Sequence, residues 1–104
     1  MMKRVLLTFA ALATVAAAAP AMADEALAKA KNCMACHSVD KKLVGPAYKE
    51  VAAKFAKDPG AVKMLAERIM KGSTGVWGAV PMPPNTNVNA DEATKLATWV
   101  MSLK

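Results

Sequence analysis

The 104-residue sequence predicts a small all-α domain of four to five short helices. Three observations predict it. Beyond residue 23 the apolar residues recur at helical spacing. Val, Ile, Thr, Phe, Tyr and Trp never alternate with polar residues over the length of a strand. Asp, Asn, Pro and Gly stand where helices are capped, started and stopped.

The elements follow in order. Residues 1–23 read as a cleaved secretory signal peptide: Lys3 and Arg4 precede an uncharged stretch from Val5 to Ala23 that ends Ala21-Met22-Ala23. Asp24 is expected to cap a first helix over Glu25 to Asn32. A loop ending at Gly45-Pro46 leads to a second helix over Ala47 to Ala56, with Tyr48, Val51, Ala52 and Phe55 on one face. Asp58-Pro59 offers a cap and a first-turn proline for a third helix that runs to Lys71 and stops at Gly72. Its apolar face carries Val62, Leu65, Ala66, Ile69 and Met70. Residues 72–89 hold Gly72, Gly75, Gly78, Pro81, Pro83 and Pro84, and form the longest irregular stretch, of a length that is usually functional. Asn89 and Glu92 form a capping-box pattern for the last helix. That helix buries Ala93, Leu96, Ala97, Val100 and Met101, with Trp99 at its flank.

Cleavage after Ala23 leaves one 81-residue domain, 24–104, with 12 basic and 8 acidic residues, net charge +4. Of its 39 apolar residues, 14 are Ala. A core that thin needs a staple. The length excludes a multidomain enzyme, and the apolar content argues against disorder. No basic run or aromatic platform suggests nucleic acid. Nothing after residue 23 suggests stable membrane insertion.

Cys33-Met34-Ala35-Cys36-His37 carries the chemistry. A thioredoxin-type redox pair expects a preceding strand and a βαβ pattern, which are missing. A zinc site wants four ligands, and the chain holds two Cys and one His. The remaining reading is attachment of one c-type haem, with both thiols on the vinyl groups and His37 on the iron. The covalently held macrocycle is then the staple. A second axial ligand must be a Met, a Lys or nothing, because His37 is the only histidine. Met64, Met70 and Met101 fall at core spacing, and Met34 is too close to the attachment site. Met82, in Val80-Pro81-Met82-Pro83-Pro84, is held by prolines that fix the backbone, and is the expected ligand.

Four segments, Cys33 to His37, Val44-Gly45-Pro46-Ala47-Tyr48, Gly75-Val76-Trp77-Gly78 and Pro81-Met82-Pro83-Pro84-Asn85, together resemble the small bacterial class I cytochromes c of the c-551/c-552 type. The resemblance covers residues 24–104. It implies the class I cytochrome c fold, helices wrapped around one covalent haem. It also implies that the Pro46 carbonyl accepts a bond from His37, that Arg68 and Trp77 hydrogen-bond a haem propionate, and that Asn85 braces the Met82 loop. The plainer alternatives are a helix-start proline, a solvated helix charge and a packing aromatic.

Three functions compete. One is a soluble one-electron carrier with His37 and Met82 filling both axial positions, which is not an enzyme. A second is an open-site haem sensor or peroxidase, which requires Met82 to be off the iron. The third is a haem subunit of a larger dehydrogenase. The carrier is the expected reading, since no general base, nucleophile or substrate pocket is evident. The resemblance implies a periplasmic monomer serving redox proteins. Its donor would be a membrane cytochrome complex, and its acceptor a nitrite reductase, peroxidase or terminal oxidase.

Overall fold

The computed structural model describes residues 20–103, so most of the expected leader lies outside the described residues. Four helices follow in order: α1 (Pro20–Ala30), α2 (Tyr48–Lys54), α3 (Ala61–Lys71) and α4 (Ala90–Ser102). A single 3-10 turn, Cys33–Ala35, lies between α1 and α2. The only β feature among the described residues is one antiparallel bridge between Ser73 and Met82. The all-α class is therefore as expected, and no described helix is long and apolar enough to cross a membrane.

Two helix starts differ from the sequence reading. Asp24 lies inside α1, which begins at Pro20. α1 also stops early, because Asn32 adopts φ 63° and turns the chain into Cys33. Asp58 does not cap α3. Its carboxylate accepts from the Gly60 amide at 2.8 Å, closing a local turn, and Gly60 is the residue that precedes the helix. Such a side-chain-to-backbone bond competes with capping.

α2 ends at Lys54, two residues short of the expected Ala56, and two further termini follow the sequence. Asn89 Oδ1 accepts from the Glu92 amide at 2.8 Å, and Glu92 Oε1 accepts from the Asn89 amide at 3.1 Å, completing the capping box. Gly72 closes α3 with φ 82°, and its amide donates to Arg68 O at 2.8 Å. The first amides of α2 find partners outside the helix: Tyr48 N donates to Ser38 O at 2.9 Å and Lys49 N to Val39 O at 3.1 Å. This seats α2 on the loop that follows the cysteines.

α4 packs against α1, α2 and α3. The core consists of Ala28, Tyr48, Val51, Leu65, Ala66, Val88, Ala93, Leu96, Ala97, Trp99 and Val100. Trp99 is only 3 % exposed, so it is a core residue and not a flanking one. It meets Tyr48 edge-on, with ring centroids 5.2 Å apart. Met64, Met70 and Met101 pack half-buried against this core. α4 thus joins the three other helices, and α2, α3 and α4 each leave residues to line a cleft.

Candidate haem cleft

The cleft has a volume of about 390 Å³. Its floor is apolar, formed by Val51 of α2, Leu65 and Ile69 of α3, and Ala97 and Val100 of α4. Cys33, Cys36 and His37 line it from the segment after α1, and Trp77 and Met82 from the 72–89 loop. Pro46, Arg68 and Asn85 complete the set expected from sequence. All eight expected residues thus line one cleft.

His37 is oriented by three neighbours. Its Nδ1 lies 2.8 Å from Pro46 O. A carbonyl only accepts, so Nδ1 carries the proton and Nε2 keeps its lone pair. Tyr48 stacks on the imidazole, with centroids 4.8 Å apart and planes 21° apart. Gly45 passes so close that a Cβ there would sit 2.5 Å from His37 Cε1. The Gly45 amide in turn donates to Cys36 O at 2.7 Å. Glycine is required at 45 by this close approach of backbone to ring.

Cys33 and Cys36 are not paired in a disulfide. Burial pushes the Cys33 thiol above its ordinary value, against a smaller opposing effect of the neighbouring Tyr48 hydroxyl. Burial likewise pushes the Tyr48 phenol up, with Cys33 adding to it.

Met82 is fixed by its backbone. Met82 N donates to Ser73 O at 2.9 Å, and Ser73 N to Met82 O at 3.0 Å. Asn85 ties the end of the same segment to α3, both its amide (3.1 Å) and its Nδ2 (2.8 Å) donating to Ile69 O. The side chain of Met82 is half-buried in the cleft wall.

Arg68 supplies a test of what the cleft suits. Its Nη1 is buried and has no hydrogen-bond partner among the described residues. A buried, unpartnered guanidinium nitrogen is costly unless an anion meets it. A carboxylate-bearing apolar macrocycle would supply both the anion and the filling for an apolar cleft. Cys33, Cys36 and an imidazole with an available Nε2 complete the set of residues that a c-type haem needs. The residues therefore fit that group.

Sequence reasoning missed several contributors. Lys54 Nζ lies 5.1 Å from the Trp77 ring centroid. Phe55 meets Trp77 edge-on at 6.4 Å, and Arg68 Cζ lies 5.6 Å from the Phe55 centroid. Lys31 bonds Asn87 O at 2.7 Å and pairs with Glu92 at 3.3 Å, joining the end of α1 to the start of α4. Each is a contact across the fold, with no local pattern to announce it. Leu43, Val44 and Val80 are large, exposed apolar residues, of which Val44 and Val80 border the cleft.

Comparison with known proteins agrees with this picture. Residues 22–104 match the cytochrome c family model. Cytochrome c-551 of Stutzerimonas stutzeri is 56% identical over 105 residues, covering 99% of this chain and 100% of the relative. Cytochrome c-551 of Pseudomonas aeruginosa is 61% identical over 80 residues, 77% of this chain and 76% of the relative. The crystal structure of Nitrosomonas europaea cytochrome c552 superposes with a TM-score of 0.76 at 52% identity, covering 77% of this chain and 99% of that one.

Proposed function

The chain belongs to the cytochrome c family, has the class I fold and carries one covalently bound c-type haem; from that premise we propose that it is a periplasmic one-electron carrier with His37 and Met82 as axial ligands. Bound in the cleft, the group supplies an iron that alternates between Fe(II) and Fe(III). The observation that carries the reading is the convergence of Cys33, Cys36, His37 and Met82 on one apolar cleft.

Each residue has a role that follows from its contacts. Cys33 and Cys36 hold the macrocycle through thioethers. His37 presents Nε2 to the metal, and its bond to Pro46 O fixes the ring and raises its basicity. The Met82 thioether is a soft ligand that favours the reduced state. The paired bonds to Ser73 and the flanking prolines hold its backbone in place. Arg68 and Trp77 hold the propionates, and Asn85 pins the Met82 segment to α3. Val51, Leu65, Ala97 and Val100, which line the cleft, would keep water from the bound group. With His37 and Met82 both donating to the metal, the protein would leave no coordination site open to a substrate.

The leader supports export. A basic start and an uncharged run precede a family match that begins at residue 22, within the closing Ala21-Met22-Ala23. Cleavage after Ala23 would start the mature domain, 24–104, at Asp24. The working form is a monomer whose partners are redox proteins: a membrane cytochrome complex as donor, and a nitrite reductase, peroxidase or terminal oxidase as acceptor. Net charge +4 on the mature chain supports attraction to acidic partners, so electron transfer to them should slow as salt screens exposed charges.

Spectroelectrochemical titration tests the proposal. The expected result is one reversible one-electron wave, with no immediate change in the reduced spectrum on adding carbon monoxide. Prompt carbon monoxide binding by the unmodified protein would overturn the carrier reading in favour of an open-site sensor or peroxidase.

A further inference from the structure

We infer that Lys54 is a positioning residue that clamps Trp77, and through it the 74–81 segment, against the propionate end of the cleft. The inference rests on the proposed role of Trp77 and Arg68 as carboxylate donors. It begins from a gap in the backbone bonding. Between the Ser73–Met82 bridge, no backbone–backbone hydrogen bond ties residues 74–81 to the rest of the fold. Gly75 and Gly78 both adopt positive φ, 77° and 113°, with no atom within 4 Å of where a Cβ would be, so the segment is not wedged by its own backbone either.

Trp77 is the side chain that anchors the segment, and α2 is what it is anchored to. The last residue of α2, Lys54, places its ammonium 5.1 Å from the indole centroid. The next residue, Phe55, meets the indole edge-on, with an interplanar angle of 86°. The other face of the arrangement is Arg68, whose guanidinium carbon lies 5.6 Å from the Phe55 ring. Two cleft donors from different elements thus share one platform at the end of α2. Phe55 is the spacer between them, and Lys54 closes the stack over Trp77. A cation over an indole is the strongest form of this contact, and it survives replacement by arginine but not by a neutral side chain. Lys54 does not itself line the cleft, whereas Trp77 does, so its effect passes through Trp77.

The experiment uses the haem-loaded protein and three variants: Lys54→Gln, Lys54→Arg and, as a charge control, Lys57→Gln at an exposed position three residues on. The first readout is hydrogen exchange of the Trp77 indole N–H by proton NMR. Losing the clamp should speed exchange about two- to fivefold in Lys54→Gln, the factor that an exposed cation–π contact implies. Lys54→Arg should restore the parent rate, and Lys57→Gln should leave it unchanged. The second readout is the reduction potential. Lys54→Gln should lower it further than Lys57→Gln does, because loosened donors leave more propionate charge uncompensated beside the iron. An unchanged exchange rate in Lys54→Gln, or an equal rise in Lys57→Gln, overturns the clamp. Trp77→Phe distinguishes this from failure of the donor role. If Trp77→Phe leaves the potential unchanged, Trp77 is not a carboxylate donor and the underlying reading fails. If Trp77→Phe lowers the potential and Lys54→Gln matches Lys57→Gln, only the clamp fails.

Discussion

Replacing Gly45 with alanine isolates the orientation of His37. The added Cβ would lie 2.5 Å from Cε1, 2.8 Å from Nδ1 and 3.1 Å from Nε2 of the imidazole. Carbon atoms pack at about 3.5–4.0 Å, so ring or backbone must move by roughly 1 Å. The ring has little room to retreat, because Tyr48 stacks on it and Pro46 O holds Nδ1. Overpacking of this kind costs about 1–3 kcal/mol. Loss of the 2.8 Å bond to Pro46 adds about 1 kcal/mol. The sum, about 2–4 kcal/mol, should lower Tm by at least about 8 °C in a domain of this size. Gly45 is not among the positive-φ residues, so the penalty is steric and not conformational. Gly60→Ala is the matched control. The nearest atom to its Cβ would be Asp58 Oδ1 at 3.4 Å, and its Tm should stay within a few degrees of the parent. Thermal melts of the haem-loaded variants by circular dichroism at 222 nm, with absorption spectra alongside, read both. A Gly45→Ala protein with parental Tm and spectrum would refute the tight seating of His37 under residue 45.

Other expectations follow from the same contacts. Gly72→Ala should be more damaging than Gly75→Ala, although both residues have positive φ. A Cβ at 72 would sit 2.6 Å from Met82 O and 3.1 Å from Pro84 N, whereas one at 75 meets nothing within 4 Å. Denaturant melts and the Met82-dependent absorption compare them. The Glu92 carboxyl is held below its usual range, chiefly by the bond from the Asn89 amide and then by Lys31. Its contribution is therefore present above the unfolded value of about 4.3 and lost as pH falls through the lower folded value. Glu92→Gln should flatten the fall of Tm between about pH 5 and pH 3, and an unchanged slope would contradict the assignment. Cys36→Ala should yield little stable holoprotein, because the small core depends on the covalently held group; a cooperative melt of a folded, haem-free variant would contradict this.

What could be read from sequence, and what could not, divides along physical lines. The Asn89–Glu92 box and the stop at Gly72 are local, fixed by chemistry within a few residues, and they stand in the structure where the sequence puts them. The same local logic misplaced the starts of α1 and α3. Asp24 and Asp58 have the chemistry of caps, but Asp24 lies within α1 and the Asp58 carboxylate turns instead to Gly60. The burial of Trp99 was missed because it depends on Tyr48, a partner fifty-one residues away in sequence. Lys54 and Lys31 gave no signal for the same reason, and neither did the ring contacts of Phe55. Their partners Trp77, Arg68 and Asn87 come near only when α4 has gathered the other helices.

The central claim is that His37 and Met82 together hold the iron. The most direct test is the weak long-wavelength absorption that iron–thioether ligation gives the oxidised protein, measured in Met82→Ala, Met64→Leu and Met70→Leu. The account predicts that Met82→Ala loses the band, binds carbon monoxide when reduced and has a lower reduction potential. The two Leu variants replace half-buried packing residues with a side chain of similar volume, at a cost under about 1.5 kcal/mol, and should keep the band. A Met82→Ala protein that retains the band while Met64→Leu or Met70→Leu loses it would contradict the assignment.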